Sequence, residues 1–357
     1  MKKMIKYPST PQFREIVGDI NRHNNFVGLD EAGNAIYDPS KPKPVIKFIG
    51  TVKLHGTSSG VCFNNIGGLW VQSRSNIITP QSDNAGFAFF VESKKESFIK
   101  LIKDISIKYN VDLNLNTIVI YSEWAGAGIQ KGVGINNIDK SCFIYGVKIS
   151  PIIDTEEELK ENPAYWVDYY GFSDNDNKIY NMLDFKTFEI DIDFNRPELS
   201  QNSIINMTLE VETECPVAKE FGFPNTIGEG IVFVNLSDGV RTFFKSKGEQ
   251  HAGVSKVKTL KPVDDVKTQK CIDLAEKITP SWRLEQMLNE TFNVLNGGQI
   301  DVKQMGLYLK ALMNDIIKEE LLTISDTGLE IKDISKYVSE IGRNFFFQRL
   351  NENVGLK

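Results

Sequence analysis

The sequence predicts an α+β body followed by a smaller all-α domain, and three observations support this prediction. Residues 44–71 alternate short apolar runs with glycine turns, as β-strands do. Residues 228–247 contain an apolar strand, a Ser-Asp-Gly turn and a second strand, which is the pattern of a β-hairpin. After Gly253, glycine becomes rare and apolar residues recur at helical spacing. We therefore expect two domains, residues 1–250 and residues 251–357.

The elements of each domain follow from the same patterns. Residues 92–110 place Phe98, Leu101, Ile102 and Ile105 on one helical face. The other elements expected in the body are short helices at 13–20, 156–161 and 199–221 and strands at 117–124 and 142–149. The helices expected in the second domain are 266–277, 281–295, 301–320 and 332–350, with Ser281 and Asp301 as N-caps and breaks at 297–298 and 325–328.

Composition limits the classes of function. The chain has 357 residues, of which 41% are hydrophobic and 25% charged, so it can bury a core like an ordinary soluble protein. Its net charge of −6 gives no global attraction for nucleic acid, although a local basic groove matters more than the total. Four cysteines without a C-x-x-C pair, and three histidines, argue against structural zinc. Without a signal-like N-terminus or 18 consecutive apolar residues, we expect a soluble, cytoplasmic protein with buried free thiols.

Lys53 follows an apolar strand and opens the segment Lys-Leu-His-Gly-Thr-Ser at 53–58. A lysine amine attacks phosphorus only when it is neutral, and nearby cations and desolvation favour that form. Gly56 would allow a phosphate to approach the backbone closely. The structural alternative is a surface lysine at a strand end, which is common for an isolated pattern of this kind.

Two glutamates stand at the ends of apolar strands. Glu123 precedes the glycine-rich segment 125–128, which suits close contact with a ligand but is not the G-x-G-x-x-G dinucleotide fingerprint. Glu229 lies between two glycines at the start of a strand, and a carboxylate there is a suitable ligand for Mg²⁺ together with substrate phosphates. The structural alternatives are a strand-end charge and a turn glutamate.

Two cations close the set of segments. Lys245 and Lys247 alternate with Phe244 and Ser246, so period two places both amines on one strand face, where they suit a triphosphate. Arg74 is an isolated arginine after a strand and could bind a phosphate or a ribose. The alternative for the lysines is a solvated sheet face.

Taken together, Lys-Leu-His-Gly-Thr-Ser at 53–58, the segments at 121–130 and 228–234, and Phe-Phe-Lys-Ser-Lys-Gly-Glu at 243–249 resemble the motifs of the covalent nucleotidyltransferase superfamily. The first segment is similar to the K-x-H-G-[ST] form found in phage-type RNA ligases of the nick-sealing branch and in kinetoplastid RNA-editing ligases. The resemblance implies a nucleotidyltransferase (ATP-grasp-like ligase) domain of antiparallel sheets with flanking helices. Ser58 departs from it, because many relatives have asparagine there.

The resemblance also implies roles for individual residues. Lys53 would be the adenylated nucleophile, and Glu229 would help to hold Mg²⁺, for which Mn²⁺ could substitute. The residues expected around ATP are Lys53, His55, Gly56 and Thr57 at the phosphate, Arg74 at the ribose or phosphate, Glu123 at the ribose hydroxyls, Phe143 stacked on adenine, and Lys245 and Lys247 at the phosphates.

The function implied is that of an ATP-dependent RNA ligase joining 3′-hydroxyl and 5′-phosphate ends of RNA, as a monomer and without a membrane. DNA ligases and mRNA guanylyltransferases use the same core, but they carry an oligonucleotide-binding barrel after the last motif, where this sequence predicts helices. A non-catalytic RNA-binding relative is the alternative of another class. The second domain is expected to bind the polynucleotide through a local face such as Lys256, Lys258, Lys261 and Arg283.

Overall fold

We describe the chain from a computed structural model, which covers residues 2–29, 33, 35–153, 155–249 and 260–354. It divides into two compact units. The first unit comprises Met1–Ile16, Ile46–Ile192 and Ser200–Lys261, and the second comprises Val17–Val45, Asp193–Leu199 and Pro262–Lys357. The predicted boundary between residues 250 and 251 lies outside the described residues.

The strands are β1 Phe26–Leu29, β2 Ala35–Tyr37, β3 Val45–Val52, β4 Thr57–Asn64, β5 Gly68–Ser73, β6 Ile77–Ile78, β7 Asn116–Ala125, β8 Ser141–Pro151, β9 Tyr165–Val167, β10 Ile179–Asn181, β11 Thr187–Asp193, β12 Gly230–Ser237 and β13 Val240–Lys247. The helices are α1 Phe13–Asn25, α2 Phe87–Ser93, α3 Lys95–Lys108, α4 Glu156–Glu161, α5 Gln201–Thr213, α6 Pro216–Glu220, α7 Asp265–Ile278, α8 Ser281–Phe292, α9 Met305–Asp326 and α10 Ile331–Val354.

The first unit is built on two sheets. One has seven strands in the order β10-β8-β7-β4-β5-β6, with β9 also paired to β8. The other has four strands in the order β11-β3-β12-β13. Strands β8 and β10 run parallel, whereas β4–β5, β4–β7, β7–β8, β3–β12 and β12–β13 are antiparallel. The predicted hairpin is confirmed as β12–β13, and its turn contains Asp238 and Gly239, both at positive φ.

Helix α3 packs its apolar face into the core of the first unit. The four residues predicted for that face, Phe98, Leu101, Ile102 and Ile105, are all buried. They join a cluster that includes Val61 of β4 and Ile118 and Ile120 of β7. The sheet containing β4 and β7 is therefore anchored from one side, and its strand ends are held in place near Thr57 and Glu123.

In the second unit, helices α7 to α10 enclose a separate apolar core that includes Tyr308, Leu312, Ile316 and Phe346. The predicted break at 325–328 is confirmed, because α9 ends at Asp326 and α10 begins at Ile331. Asp301 caps a single 3-10 turn before α9 by accepting the Lys303 N–H. The prediction of Ser281 as an N-cap is wrong, because Ser281 is the first helical residue of α8 and Pro280 occupies the cap position.

Arg283 is not available for a basic surface. Its side chain is 6% exposed and pairs with Asp315 and Glu320 of α9. Burial of a guanidinium requires such partners, which a helical wheel of α8 alone does not reveal. Of the other cations predicted for that face, Lys261 is exposed, whereas Lys256 and Lys258 lie outside the described residues.

The four cysteines are buried free thiols, as predicted. Among the described residues, no helix is both long enough and apolar enough to cross a membrane.

Candidate active site

A cavity of about 470 Å³ lies in the first unit, and both sheets contribute to its walls. Strands β3, β12 and β13 supply one wall, while β4, β7 and β8 supply the other. The predicted site residues that line it are Lys53, Gly56, Thr57, Arg74, Glu123, Lys245 and Lys247. The other residues of the lining include Tyr7, Pro8, Ser9, Thr10, Ser58, Gln130, Tyr145, Met182, Val232 and Arg241.

Glu229 joins the first and last predicted motifs. Its Oε2 lies 2.6 Å from Nζ of Lys53, and its Oε1 lies 2.6 Å from Nζ of Lys247. The Glu229 side chain is only 3% exposed, whereas both lysines keep about a quarter of their surface. One buried carboxylate therefore holds two ammonium groups at the same end of the cavity.

Strand pairing brings these residues together across 176 positions of sequence. Strand β3 pairs with β12, so that Val52 lies opposite Ile231, and the Lys53 N–H continues the ladder by donating to the Gly230 carbonyl at 2.8 Å. Gly230 has φ of 144°, and a Cβ at that position would overlap with the Ser246 carbonyl. Only glycine adopts this positive φ readily and leaves room for the Ser246 carbonyl, so Gly230 allows β12 to lie close to β13 directly after Glu229.

The charges at this end of the cavity shift the pKa values of its members. Burial would raise the pKa of Glu229, but the Lys53 and Lys247 ammonium groups outweigh it and hold that pKa below its ordinary value. Burial, reinforced by repulsion from Lys247 and Lys53, lowers the pKa of Lys245. His55 also contacts the Glu229 carboxylate, with its Nδ1 3.5 Å from Oε2.

Glu123 lies on the opposite wall. The Gly56 N–H donates to its Oε1 at 3.0 Å, which ties the end of β7 to the segment that begins at Lys53. Burial raises the pKa of Glu123 to about 7, although the Lys53 ammonium opposes this shift. A Cβ at position 56 would overlap with the Trp124 carbonyl, so the glycine of this segment is needed for close approach to β7.

The neighbouring hydroxyls are held by side chains from other segments. Asn84 Nδ2 donates to Oγ1 of Thr57 at 3.0 Å. The Ser58 and Tyr145 hydroxyls are 3.0 Å apart and share a hydrogen bond. Ser58 therefore contacts strand β8 through Tyr145. Arg74 lines the cavity from an exposed position just after β5.

The structure does not bring Phe143 to the cavity. Its ring is fully buried and stacks on Tyr180 with centroids 5.4 Å apart, and Phe185 and Phe221 complete this cluster. Tyr145 of the same strand lines the cavity instead. It lies at a register shift between β7 and β8, where Tyr121 pairs with Gly146 and Ser122 with Ile144. A bulge of this kind redirects side chains, and nothing in the alternation of the sequence indicates it.

An N-terminal segment, residues 7–10, also lines the cavity, and sequence analysis missed it. It is held by long-range hydrogen bonds. Gln72 pairs with both backbone groups of Ile5 at 3.1 and 2.6 Å, and the Lys245 N–H donates to the Pro11 carbonyl at 2.9 Å. The segment has no helical or strand periodicity, so no local signal could have placed it.

Three lysines in the cavity lining, the buried carboxylate that pairs with two of them, and a second carboxylate whose pKa is raised can hold a polyphosphate beside an amine. The ammonium groups neutralise phosphate charge, and the low-dielectric wall strengthens each contact. A nucleoside attached to that phosphate would extend toward the aromatic side of the cavity, where Tyr7 and Tyr145 lie.

The family model for RNA ligase matches residues 46–247, more than half of the chain and nearly the whole span from β3 to β13. No curated protein matches the sequence. Structures of Naegleria gruberi RNA ligase are similar over part of the fold: the form with PPi has 16% identity and a TM-score of 0.40 over 72% of this chain and 60% of that one.

A substituted form of the Naegleria gruberi ligase with ATP and Mn has 16% identity and a TM-score of 0.41, over 70% of this chain and 57% of that one. The present chain thus spans about 57–60% of the length of these structures. The family assignment rests on the match to residues 46–247, which contain Lys53, Glu229 and Lys247. The chain belongs to the RNA ligase family.

Proposed function

We propose that the chain is an ATP-dependent RNA ligase and that Lys53 is its nucleophile. The observation that supports this most directly is the contact of Lys53 and Lys247 with the two oxygens of buried Glu229, in a cavity that Lys245 also lines. A reactive amine, cations for a triphosphate and a carboxylate converge on one point. Such positioning can supply much of the rate of an in-line displacement at phosphorus.

The reaction has three displacements. The neutral Lys53 amine attacks the α-phosphate of ATP, an N–P bond forms, the bond between the α- and β-phosphates breaks, and pyrophosphate leaves. An oxygen of an RNA 5′-phosphate then attacks the lysyl-AMP, the N–P bond breaks, and Lys53 regains a proton. A 3′-hydroxyl finally attacks the adenylated end, loses its proton, and releases AMP as the phosphodiester forms.

Glu229 has a double role in this proposal. Without ATP, it pairs with the Lys53 ammonium, so this amine must lose a proton before it attacks phosphorus. When ATP enters, its phosphates can take over the Lys247 ammonium, and Glu229 can accept the proton that Lys53 must lose or help to hold a divalent cation. Lys245 and Lys247 would stabilise the charge that develops on the phosphates.

A divalent cation fits this end of the cavity only with the help of the substrate. Among the described residues, no group of three or more His, Cys, Asp or Glu side chains is placed to hold a metal ion. Glu229 offers one carboxylate, and Mg²⁺ commonly binds through one or two carboxylates and substrate phosphates. When bound, Mg²⁺ or Mn²⁺ would neutralise charge on the phosphates.

The nucleoside would occupy the remaining cavity. Glu123 is placed to accept hydrogen bonds from the ribose hydroxyls, and Arg74 could reach the ribose or a phosphate. We propose Tyr145 in place of Phe143 as the aromatic residue beside the base, because Tyr145 lines the cavity and Phe143 does not. His55, Gly56 and Thr57 would surround the α-phosphate.

The region after the last motif favours RNA over the other substrates of this superfamily. The described residues 260–354 contain α7 to α10 and no strand, and an oligonucleotide-binding barrel would require strands. This observation argues against a DNA ligase or an mRNA guanylyltransferase. We place the chain in the nick-sealing branch of RNA ligases because of the Lys-Leu-His-Gly-Thr-Ser segment at 53–58.

The test is covalent labelling followed by sealing. Purified protein incubated with ATP labelled in the α-phosphate should form an adduct with the mass of one AMP, and ATP labelled in the γ-phosphate should give none. Lys53→Ala should abolish the adduct, whereas Lys47→Ala, which removes an exposed lysine of β3, should keep it. An adduct that survives Lys53→Ala would contradict the assignment. Sealing of nicked duplex RNA, single-stranded RNA and nicked DNA would then define the substrate.

A further inference from the structure

We propose that Arg241 recognises the purine base, donating a hydrogen bond from its guanidinium to a ring nitrogen of the nucleotide that modifies Lys53. The inference rests on the proposed adenylation of Lys53 and specifies how the other end of the same cavity selects its ligand. Arg241 is not part of any of the motifs found in the sequence, and it lies on β13 at the cavity wall.

Three aromatic rings hold the guanidinium in place. The Cζ atom of Arg241 lies 4.9 Å from the ring centroid of Trp166, 5.6 Å from that of Tyr7 and 5.7 Å from that of Phe243. Contacts of this kind fix a cation without using its hydrogen-bond donors. One donor is used on the scaffold, because Nη2 donates to the Tyr145 carbonyl at 2.6 Å.

The charge of Arg241 is not explained by an ion pair with the rest of the described chain. Within the described part of the chain, Nε of Arg241 is buried without a hydrogen-bond partner, and no carboxylate forms an ion pair with the guanidinium. Arg241 lines the cavity, so a ligand there can accept hydrogen bonds from the terminal N–H groups of its guanidinium.

The position of Arg241 along β13 indicates which part of the ligand it meets. Arg241, Phe243, Lys245 and Lys247 alternate along one face of the strand. At about 3.3 Å per residue, Arg241 lies roughly 20 Å along the strand from Lys247. Lys247 and Lys53 share Glu229 at the phosphate end, so Arg241 is too distant to contact the reacting phosphate.

The surroundings of Arg241 suit a base. The Tyr7 ring lies 5.6 Å from Cζ of Arg241 and 5.1 Å from the ring of Tyr145, and both tyrosines line the cavity together with the apolar side chains of Met182 and Val232. Aromatic and apolar walls bind a flat ring, and a polar group between them sets its orientation. A guanidinium only donates, so it would contact an acceptor of the purine, which means N1, N3 or N7 and not the amino group.

The experiment uses the full chain and ATP analogues in which one ring nitrogen is replaced by carbon: 1-deaza-, 3-deaza- and 7-deaza-ATP. The rate of adduct formation on Lys53 is measured against nucleotide concentration. We expect one analogue to need an approximately tenfold or higher concentration for half-maximal rate, since a hydrogen bond from a charged donor contributes about 1.5–3 kcal/mol. The other two analogues should behave like ATP.

Arg241→Met and Arg241→Lys identify the donor. In Arg241→Met the discrimination against that analogue should vanish, and ATP itself should need a similarly raised concentration, with a much smaller change in the saturated rate. Arg241→Lys keeps a donor and should restore part of the affinity. The matched control is Lys148→Met, which removes a cation 5.3 Å from the same Trp166 ring but outside the cavity lining. Its ATP dependence should equal that of the wild type.

The outcomes separate this inference from the proposed function. If the wild type forms no adduct with ATP, the adenylation proposal fails. If the wild type forms the adduct but treats all three analogues like ATP, or if Arg241→Met keeps both the ATP dependence and the discrimination, only the role of Arg241 is overturned. The analogue comparison needs no variant, so the inference can be refuted even if Arg241→Met does not fold.

Discussion

At the scale of single residues, Glu229 determines the charge balance of the phosphate end of the cavity. Glu229→Gln keeps the volume of the side chain but cannot balance two ammonium groups or offer a carboxylate to a cation. We expect adenylation to slow by about 10²–10³, as when one charged transition-state contact is removed. The rate measured at increasing Mg²⁺ should show a higher requirement for metal. Glu189→Gln, which removes an exposed partner of Lys47, is the control, and an unchanged rate in Glu229→Gln would show that the carboxylate is structural.

Glu123 should make the stability of the protein depend on pH. Burial raises its pKa from 4.5 to about 7, so between these values the folded chain retains a proton that the unfolded chain has released. The carboxyl of Glu123 therefore destabilises the fold increasingly as the pH rises through this window. Thermal unfolding of the wild type and of Glu123→Gln should show a difference in Tm that grows in favour of the variant from about pH 4.5 to 7. A constant difference across this range would contradict the prediction.

Single residues also show where sequence reasoning ends. The segments around Lys53, Glu229 and Lys247 could be recognised because each has its own local pattern. The shared contact of both lysines with one carboxylate could not be predicted, because it depends on the pairing of β3 with β12. The choice between Phe143 and Tyr145 depends on a register shift that leaves no trace in the alternation of apolar residues. Arg241 has no pattern of its own, and the role proposed for it depends on the rings around it.

At the scale of elements, the N-terminal segment is attached to the sheet by Gln72. This side chain is 2% exposed and pairs with both the N–H and the carbonyl of Ile5. Gln72→Ala would leave the Ile5 N–H without this partner, while the Ile5 carbonyl would keep the Tyr121 hydroxyl at 2.9 Å, so we expect a cost of about 1–3 kcal/mol in the free energy of unfolding. The segment also lines the cavity, so the concentration of ATP needed for adenylation should rise as well.

Urea unfolding and the ATP dependence of labelling test this prediction together. Gln81→Ala, at an exposed turn of the same unit, is the matched control and should change neither quantity. A variant at position 72 that loses stability but binds ATP normally would show that residues 7–10 do not contribute to the ligand site.

The regular elements were predictable, whereas the irregular ones were not. Helix α3 and the β12–β13 hairpin have strong periodicity, and their buried faces lie where the pattern indicates. The segment before α1 has neither period, because its backbone is satisfied by distant side chains such as Gln72. The prediction that Ser281 caps α8 was also wrong, because the sequence does not distinguish a serine in the first turn from a serine at the cap position.

In the whole molecule, each of the two units is built from several separate segments of the chain. Val17–Val45 and Asp193–Leu199 belong to the second unit although the sequence predicts them within the first domain. Within the second unit, Arg196 pairs with Glu276 and Glu340. No local composition change marks these inserted segments, and the ion pairs join Arg196 to helices α7 and α10, which lie far along the chain.

We expect the two units to carry out different steps of the reaction. Every residue that lines the cavity belongs to the first unit, so a chain of residues 1–261 should still form the lysyl-AMP. Sealing requires two RNA ends aligned over that site, and we propose that the second unit binds them. The shortened chain should therefore take up AMP but seal nicked RNA poorly. Adduct formation itself reports that the shortened chain has folded, which matters because the cut leaves Arg196 without Glu276 and Glu340.

Salt dependence tests the same proposal in the full chain. The exposed lysines of the second unit that lack an ion pair among the described residues include Lys270, Lys277, Lys303 and Lys310. When a lysine that contacts a phosphate is replaced by glutamine, the slope of log K against log salt concentration, where K is the association constant for RNA, should become shallower by about 1. The loss of affinity should be the same for RNAs of different sequence. Lys332, which pairs with Glu330, is the control.

The shortened chain gives a separate test. If it seals nicked RNA as well as the full chain does, the second unit does not bind the RNA ends. If it takes up no AMP, the first unit needs the second in order to fold.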